Sequence, residues 1–423
     1  MTNKTLDELI ESVSKTHKFN KDKLIFLNTS DVLDGKILSY NYSNTSDLKG
    51  QAKKTIKYDD ILFSEIRPKN KRFAYVNIKE TEDFVVSTKL MVLRNKTKNV
   101  LTKYIYYFLT YEGTLDYLQM RAENRIGSFP QITFDILKPI SVNIPDVEDQ
   151  KKIVNIISAL DDKIELNNRI NAELEAMAKT LYDYWFVQFD FPIVTSSGVE
   201  KPYKSSGGKM VYNETLKREI PEGWEVKSLS GLVDFTRGIS YTSSTINDNE
   251  GIPMINLKSF NLNGTYRIDG LKYFTGKLNE NKIINKNDLL IAITDVTREA
   301  EIIGKAILSP DFGNKTVCSC DVARIDILKN SFSKNYLRYL FNSNHYHNYI
   351  KHFASGTLVL HLDLNGILWY KDIIPPINLQ NKFEDIVNEI DEKITNNLKQ
   401  NQELSSLRDW LLPMLMNGQV KVG

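Results

Sequence analysis

"LDDKIELNNRINAELEAM" occupies residues 160–177, and "IDEKITNNLKQNQELSSL" occupies residues 390–407. Seven of the eighteen aligned positions are identical, at a constant offset of 230 residues. Weaker matches continue upstream in the same order, with the offset drifting between 228 and 232; "DILFSEI" (60–66) faces "DLLIAIT" (288–294). Internal repetition at this distance indicates a duplicated unit. We therefore predict one unit present twice, each copy having a variable front part and a better preserved tail.

The two tails are predicted to be long helices that pack against each other. Apolar residues recur at alternating steps of three and four, the seam spacing of a coiled coil. Pro145 and Pro375 stand just ahead of the two patterns, where a helix tolerates proline. The pattern from about residue 147 to 187 predicts a helix of roughly 60 Å, at about 1.5 Å per residue.

Each predicted seam contains a pair of asparagines, Asn167 and Asn171 in the first helix and Asn397 and Asn401 in the second. A buried asparagine weakens packing but fixes register, because a mismatched partner leaves its amide unpaired. The polar layers would meet in a parallel or an antiparallel pair. A pseudo-twofold duplication favours the antiparallel one. The alternative is that Asn167 and Asn171 face solvent.

The front parts are predicted to be mixed α/β. Runs rich in β-branched and aromatic residues predict strands, for example "ILFSEI", "RFAYVNI" and "FVVSTKLMVL" in the first copy. A helical stretch follows in each copy, "TKYIYYFLTYEGTLDYLQM" and "KNYLRYLFNSNHYHNYI". The predicted fold is α+β: two mixed α/β domains in a pseudo-twofold arrangement, separated by two long antiparallel coiled-coil helices.

Composition excludes several classes of protein. With 55 basic and 53 acidic side chains the net charge is +2, which argues against a non-specific DNA-coating protein but permits a localised basic surface. No apolar stretch is long enough for a membrane span. Two cysteines in 423 residues exclude a disulfide scaffold and favour a reducing cytoplasm.

No catalytic or metal-binding signature is present. The single Pro-Pro, in "IIPPI", lacks the preceding asparagine that an aminomethyltransferase tetrad would need, and no phosphate-binding glycine loop occurs. Cys318 and Cys320 are expected to share one face of a strand as ordinary small thiols. His345 and His347 are two residues apart on a predicted helix, so they point in different directions. We expect no metal and no catalytic residue.

Positive charge is concentrated between Lys49 and Arg72, where eight basic residues face three acidic ones. "RPKNKR" (67–72) falls in a turn between two predicted strands, so it could enter a DNA groove while the sheet holds it in place. Lysine suits phosphates, whereas arginine and asparagine suit base edges. The alternative is a solvated turn. The candidate DNA-binding residues are Lys53, Lys54, Arg67, Lys69, Asn70, Lys71 and Arg72, and in the second copy Arg237, Lys258, Arg267, Lys272 and Arg298.

Over nearly its full length the chain resembles the specificity subunit of Type I restriction-modification systems. The resemblance is strongest in "GSFPQITFDILKPISVNIPDVEDQKKIVNIISALDDKIELNNRINAELEAMAKTLYDYWF" (127–186) and "YKSSGGKMVYNETLKREIPEGWEV" (203–226), where "IPEGW" is typical of such proteins. The first copy lacks a matching Pro-x-x-Trp near its start.

The resemblance implies the following division of the chain: target-recognition domains at 1–146 and 216–376, spacer helices at 147–190 and 377–423, and a linker at 191–215. Each recognition domain would read one half of an asymmetric, gapped DNA target. Two modification methyltransferase subunits would dock on the scaffold, and restriction subunits would join them. S-adenosylmethionine, ATP and Mg would be bound by those partners and not by this chain. Two rival hypotheses remain open: a nuclease or methyltransferase with an unrecognised site, and a coiled-coil scaffold that does not contact DNA.

Overall fold

The computed structural model describes residues 2–48, 50–124, 130–194, 198–267 and 270–420. The chain divides into two compact units: Met1–Arg169 with Asn397–Gly423, and Ile170–Asn396. The predicted domain 1–146 lies within the first unit and the predicted domain 216–376 within the second. Each unit also contains part of both long helices.

In the first unit two sheets share a core. One is antiparallel, in the order Ile10–Ser12, Leu90–Asn95, Ile61–Ser64 and Phe73–Tyr75. The other is mixed, in the order Tyr42–Asn44, Lys23–Leu27, Phe84–Ser87 and Ala52–Thr55, with Phe84–Ser87 parallel to Lys23–Leu27. Short pairs join Thr2–Thr5 to Ser141–Ile144 and Val32–Leu33 to Lys36–Ile37. The helices are Leu6–Leu9, Thr102–Thr110, Glu112–Glu123 and Phe134–Leu137.

The second unit also contains one antiparallel and one mixed sheet. Its antiparallel sheet runs Val233–Arg237, Val322–Ile327, Leu289–Ala292 and Ala306–Leu308, and its mixed sheet runs Ile246–Asn247, Lys272–Phe274, Ile252–Ile255 and Val317–Cys318. In both antiparallel sheets the strand that comes last in the chain lies second in the order. A parallel pair again sits in the mixed sheet. The predicted duplication therefore extends to the strand order of the antiparallel sheet and to the parallel pair of the mixed sheet, whereas the outer strands of the mixed sheets are arranged differently.

The remaining elements of the second unit are shorter. Glu225–Ser228 pairs with Lys371–Ile374, Met210–Asn213 with Arg218–Pro221, and Pro192–Val194 with Glu200–Pro202. Thr294–Asp295, Leu360–Leu362 and Ala354–Ser355 form a further small sheet. The helices are Lys334–Asn342, Asn344–Ile350 and Leu364–Trp369. The 191–215 stretch, predicted as a linker, folds back here, with the Phe191 ring stacked 4.6 Å from Tyr203 and 5.1 Å from Trp224.

The two long helices are Val147–Tyr182, which continues as a π-helical turn over Asp183–Val187, and Ile377–Met416. Both begin two residues after the prolines that mark them in the sequence. Within the first unit, Arg408 binds Asp161 at 3.0 Å and Asn401 accepts a bond from Asn167 at 2.9 Å. Residue numbers rise along one helix as they fall along the other, so the antiparallel prediction is confirmed.

In each unit a buried glutamine joins the residues that precede the long helix to the start of that helix. Gln150 accepts a bond from the Leu101 backbone N–H at 2.8 Å and donates to the Pro145 carbonyl at 2.9 Å. In the second unit Gln380 accepts from Ser333 N–H at 3.0 Å and donates to the Pro375 carbonyl at 2.8 Å. Both glutamines are fully buried. The two are 230 residues apart, so the repeat preserves this joint.

Three local predictions need correction. "FVVSTKLMVL" forms two strands in different sheets, because the chain turns at Thr88 and Lys89. Each predicted helix after the sheets is broken in two, the second break at Ser343, whose hydroxyl caps the following helix by accepting from Tyr346 N–H. Cys318 and Cys320 do not share an environment: the strand ends at Cys318, which is buried, and Cys320 is exposed.

Candidate nucleic-acid interface

The basic turn of the first unit, residues 67–72, is held in a strained conformation. It follows the strand Ile61–Ser64 and contains a 3-10 turn over Pro68–Asn70. Arg67 and Lys71 have φ values of 45° and 52°, in the left-handed region that costs a side chain about 1–2 kcal/mol. Backbone bonds from Arg67 N–H to the Pro130 carbonyl, 3.1 Å, and from Asp34 N–H to the Lys71 carbonyl, 2.7 Å, hold the turn in place. Strain maintained in this way is typical of functional loops.

Two of the candidate cations are bound to the protein itself. Lys54 Nζ donates to the carbonyls of Thr88 and Leu90 at 3.0 and 2.8 Å. Burial lowers the pKa of the Lys54 ammonium. Arg72 donates to the carbonyls of Ser30 and Val32 at 3.1 and 3.2 Å. Both side chains therefore stabilise the loops around the turn.

Two more cations are paired with acidic side chains of the helix Glu112–Glu123. Lys69 contacts Asp116 and lies 3.5 Å from Glu112, and Lys71 lies 3.9 Å from Glu112. The hydrogen bond with Asp116 raises the pKa of the exposed Lys69 ammonium. A phosphate would have to compete with these carboxylates.

Lys53, Arg67 and Asn70 are exposed, and within the described part of the chain no side-chain partner occupies them. Lys49, which begins the basic stretch, lies outside the described residues. Arg67 is thus the arginine of the turn whose guanidinium is available to a ligand. Its backbone is fixed by the strained turn, which suits a side chain that must reach a base edge with defined geometry.

In the second unit Arg237 and Arg298 come to one end of the antiparallel sheet. Arg237 ends its strand opposite Ala323, and Ala292 ends the neighbouring strand opposite Val322. Arg298 lies in the loop after the short strand Thr294–Asp295, between Leu289–Ala292 and Ala306–Leu308, which is the connection equivalent to the basic turn of the first unit. Both arginines are exposed, and neither has a side-chain partner among the described residues.

Lys258, Arg267 and Lys272 lie along the mixed sheet instead. Lys258 is on a 3-10 turn, Leu257–Ser259, and Arg267 N–H donates to the Ser259 carbonyl at 2.9 Å. Lys272 is paired with Asp248. The candidate residues of the second unit therefore form two groups. The group at the end of the antiparallel sheet, Arg237 and Arg298, is the one that corresponds in topology to the basic turn of the first unit.

The asparagine pair of the first helix is buried: Asn167 is 1% exposed and Asn171 is 6% exposed. Neither faces solvent. Asn167 Nδ2 donates to Gln400 Oε1 at 2.8 Å and to Asn401 Oδ1 at 2.9 Å, and Asn401 Nδ2 donates to Asn168 Oδ1 at 2.9 Å. Asn397 lies in the same helix as Asn401 and is partly buried. This amide network joins the two helices within the first unit.

Sequence reasoning missed several residues. The repeat aligns Gln150 with Gln380, and this alignment could have identified them. Glutamine is, however, more often exposed than buried. Asp295, which is fully buried, and Leu358, which is 88% exposed, had no such signal in the sequence. Across the described residues no three His, Cys, Asp or Glu side chains group as metal ligands. The described helices include none with the length and apolar character of a membrane span.

Comparisons with known proteins agree with this geometry. A family model described as the Type I restriction modification DNA specificity domain matches residues 1–176 and again 221–406. The chain is 32% identical to the Type I restriction enzyme HindI specificity subunit of Haemophilus influenzae, with 98% of each chain covered. It is 28% identical to the MjaIX specificity subunit of Methanocaldococcus jannaschii, covering 76% of this chain and 70% of that one.

A solved structure shares the fold. The Type-I restriction-modification system S subunit from M. genitalium superposes with a TM-score of 0.55 at 16% identity, covering 98% of this chain and 96% of that one. Because the family model matches most of the chain and the HindI specificity subunit is 32% identical over 98% of it, the chain belongs to the family of Type I restriction-modification DNA specificity subunits.

Proposed function

We propose that this chain is the non-catalytic subunit that gives a Type I restriction-modification enzyme its DNA sequence specificity. Residues 1–146 read one half of an asymmetric, gapped target, and residues 216–376 read the other. The observation that carries the proposal is the duplication: the antiparallel sheet occurs twice with the same strand order, yet the loops at corresponding ends differ in sequence. Such a molecule presents two different reading surfaces on one repeated scaffold.

The helices are the part of the repeat whose sequence is better preserved, and this supports a docking role for them. Two copies of one methyltransferase need two equivalent surfaces, so the tails stay alike while the reading loops diverge. Restriction subunits would join that core. S-adenosylmethionine, ATP and Mg would act on the partner subunits, where methyl transfer, translocation and cleavage take place.

Reading by the first unit would depend on Arg67 and Asn70. Arginine forms two parallel hydrogen bonds with guanine O6 and N7, and asparagine forms two with adenine N6 and N7. Lys53 would contact phosphate, which positions the protein without selecting a sequence. In the second unit Arg237 and Arg298 would take the base-reading role.

The test is modified-base sequencing of a host that carries the cognate methyltransferase, with and without the gene for this chain. We expect an asymmetric, gapped methylation mark that disappears without the gene. A mark that persists unchanged would show that the methyltransferase finds its target alone. If the purified chain methylated or cut DNA without partners, the result would instead support a catalytic function.

A further inference from the structure

The second unit carries an exposed apolar tip on a short hairpin. The strands Ala354–Ser355 and Leu360–Leu362 pair through a turn over residues 356–359. Leu358, in this turn, is 88% exposed, the highest value for a large apolar side chain in the described residues. Gly356 has φ +140°, and a Cβ there would lie 2.0 Å from the Val359 carbonyl oxygen. The turn therefore requires glycine, and its shape is fixed.

A second loop lies beside this tip and is also held rigidly. Asp295 pairs with Leu360, so the chain that leaves Asp295 runs next to the turn. The Asp295 carboxylate is fully buried and accepts bonds from the backbone N–H groups of Thr297, Ile302 and Ile303 at 2.7, 2.7 and 3.1 Å. Val296, at the start of this loop, is 66% exposed. Leu358 and Val296 therefore lie close together, each on a backbone segment whose conformation is fixed.

The tip lies at the end of the antiparallel sheet where Arg237 and Arg298 are found. Arg298 belongs to the same loop as Val296. Two exposed carboxylates, Glu299 and Glu301, are also on this loop, and they would repel a phosphate. This surface combines two apolar side chains, one available arginine and two acidic residues. It is suited to contact base edges and poorly suited to contact the phosphates of the DNA backbone.

We propose that Leu358, supported by Val296, reads a thymine in the second half of the target through its 5-methyl group. That methyl is the apolar group that a base presents in the major groove, and apolar side chains contact it there. The inference rests on the proposed function, because it names a base contact of the second recognition domain. Leu358 is then a specificity-determining residue.

The experiment uses the complex of this chain with its methyltransferase. Each thymine of the target is replaced singly by deoxyuridine, which removes only the methyl group, and competition binding measures the relative affinity. For the natural complex we expect one position in the second half-site where deoxyuridine weakens binding about fourfold, the effect of one buried methyl group. Leu358→Ala should abolish this difference at that position and leave the first half-site unchanged.

The matched control is Leu262→Ala, which removes another exposed leucine of the same unit, 57% exposed, from a loop near the mixed sheet. It should keep the deoxyuridine effect. The inference would be overturned if deoxyuridine weakened binding equally in the natural and Leu358→Ala complexes. It would also be overturned if deoxyuridine had no effect on binding at any thymine, or if the second half-site contained no thymine. Loss of partner assembly in Leu358→Ala, with DNA reading intact, would assign the tip to a protein contact instead. A natural complex that ignores the whole second half-site would contradict the proposed function itself.

Discussion

At the scale of single residues, charge alone does not identify the side chains that are free to read DNA. Arg67 and Arg72 are both ends of "RPKNKR", yet Arg72 binds two backbone carbonyls about 40 residues earlier in the chain and Arg67 has no side-chain partner in the described residues. A sequence pattern predicts the basic turn and its place between strands. It cannot predict such distant partners, because they depend on how the loops pack.

This difference yields a paired prediction. Arg67→Ala should relax one base position of the first half-site, at a cost of about 1–3 kcal/mol in discrimination, with the free energy of unfolding unchanged. Arg72→Ala should lower the free energy of unfolding by about 1–3 kcal/mol, because a charged donor to two carbonyls is lost. Binding to singly substituted targets and urea unfolding measure the two effects. Reversed roles would mean that Arg72 is the reader.

Gln380 gives a prediction about stability. Gln380→Ala leaves the Ser333 N–H and the Pro375 carbonyl buried without their partner, so the free energy of unfolding should fall by about 2–4 kcal/mol. Gln402→Ala, an exposed position on the same helix, is the control and should change little. Gln150→Ala should behave like Gln380→Ala in the first unit. If urea unfolding shows equal stability for Gln380→Ala and Gln402→Ala, the buried contacts of Gln380 do not stabilise the fold.

At the scale of elements, the long helices were predictable and the front parts only in outline. The three- and four-residue spacing persists over many turns, so length and buried face follow from the sequence. Antiparallel direction was favoured by the duplication and is confirmed by the Asp161–Arg408 and Asn167–Asn401 pairs. The strands Phe84–Ser87 and Leu90–Asn95 were predicted as one run, since the two residues that separate them carry no glycine or proline signal.

The asparagine network makes a testable claim at this scale. Asn167→Leu leaves the Asn401 side chain partly unpaired in the seam and should lower stability by about 1–3 kcal/mol. The double variant Asn167→Leu with Asn401→Leu removes both partners, and should recover much of that loss while weakening the choice of register. Denaturant unfolding of the two single variants and the double variant gives the coupling energy. Strictly additive losses would show that the two amides act independently.

At the scale of the whole molecule, a repeated scaffold carries two independent surfaces for reading DNA. The same order of strands occurs in each antiparallel sheet, and in each unit an equivalent buried glutamine ties the start of the long helix to the residues that precede it. The loops at the ends of those sheets differ, "RPKNKR" in one unit against "DVTREA" in the other. Sequence comparison within the chain detected the scaffold because its buried contacts constrain both copies. It could not give the target bases, because loop geometry determines which base edges a side chain can reach.

The most direct test exchanges residues 1–146 for the corresponding domain of a relative with a different target, leaving residues 147–423 unchanged. Modified-base sequencing of the host then reads the methylated motif. We expect the first half-site to change to that of the donor, while the second half-site and the gap stay as they were. A motif that is unchanged, or one in which both half-sites change together, would contradict the division of reading between the two units.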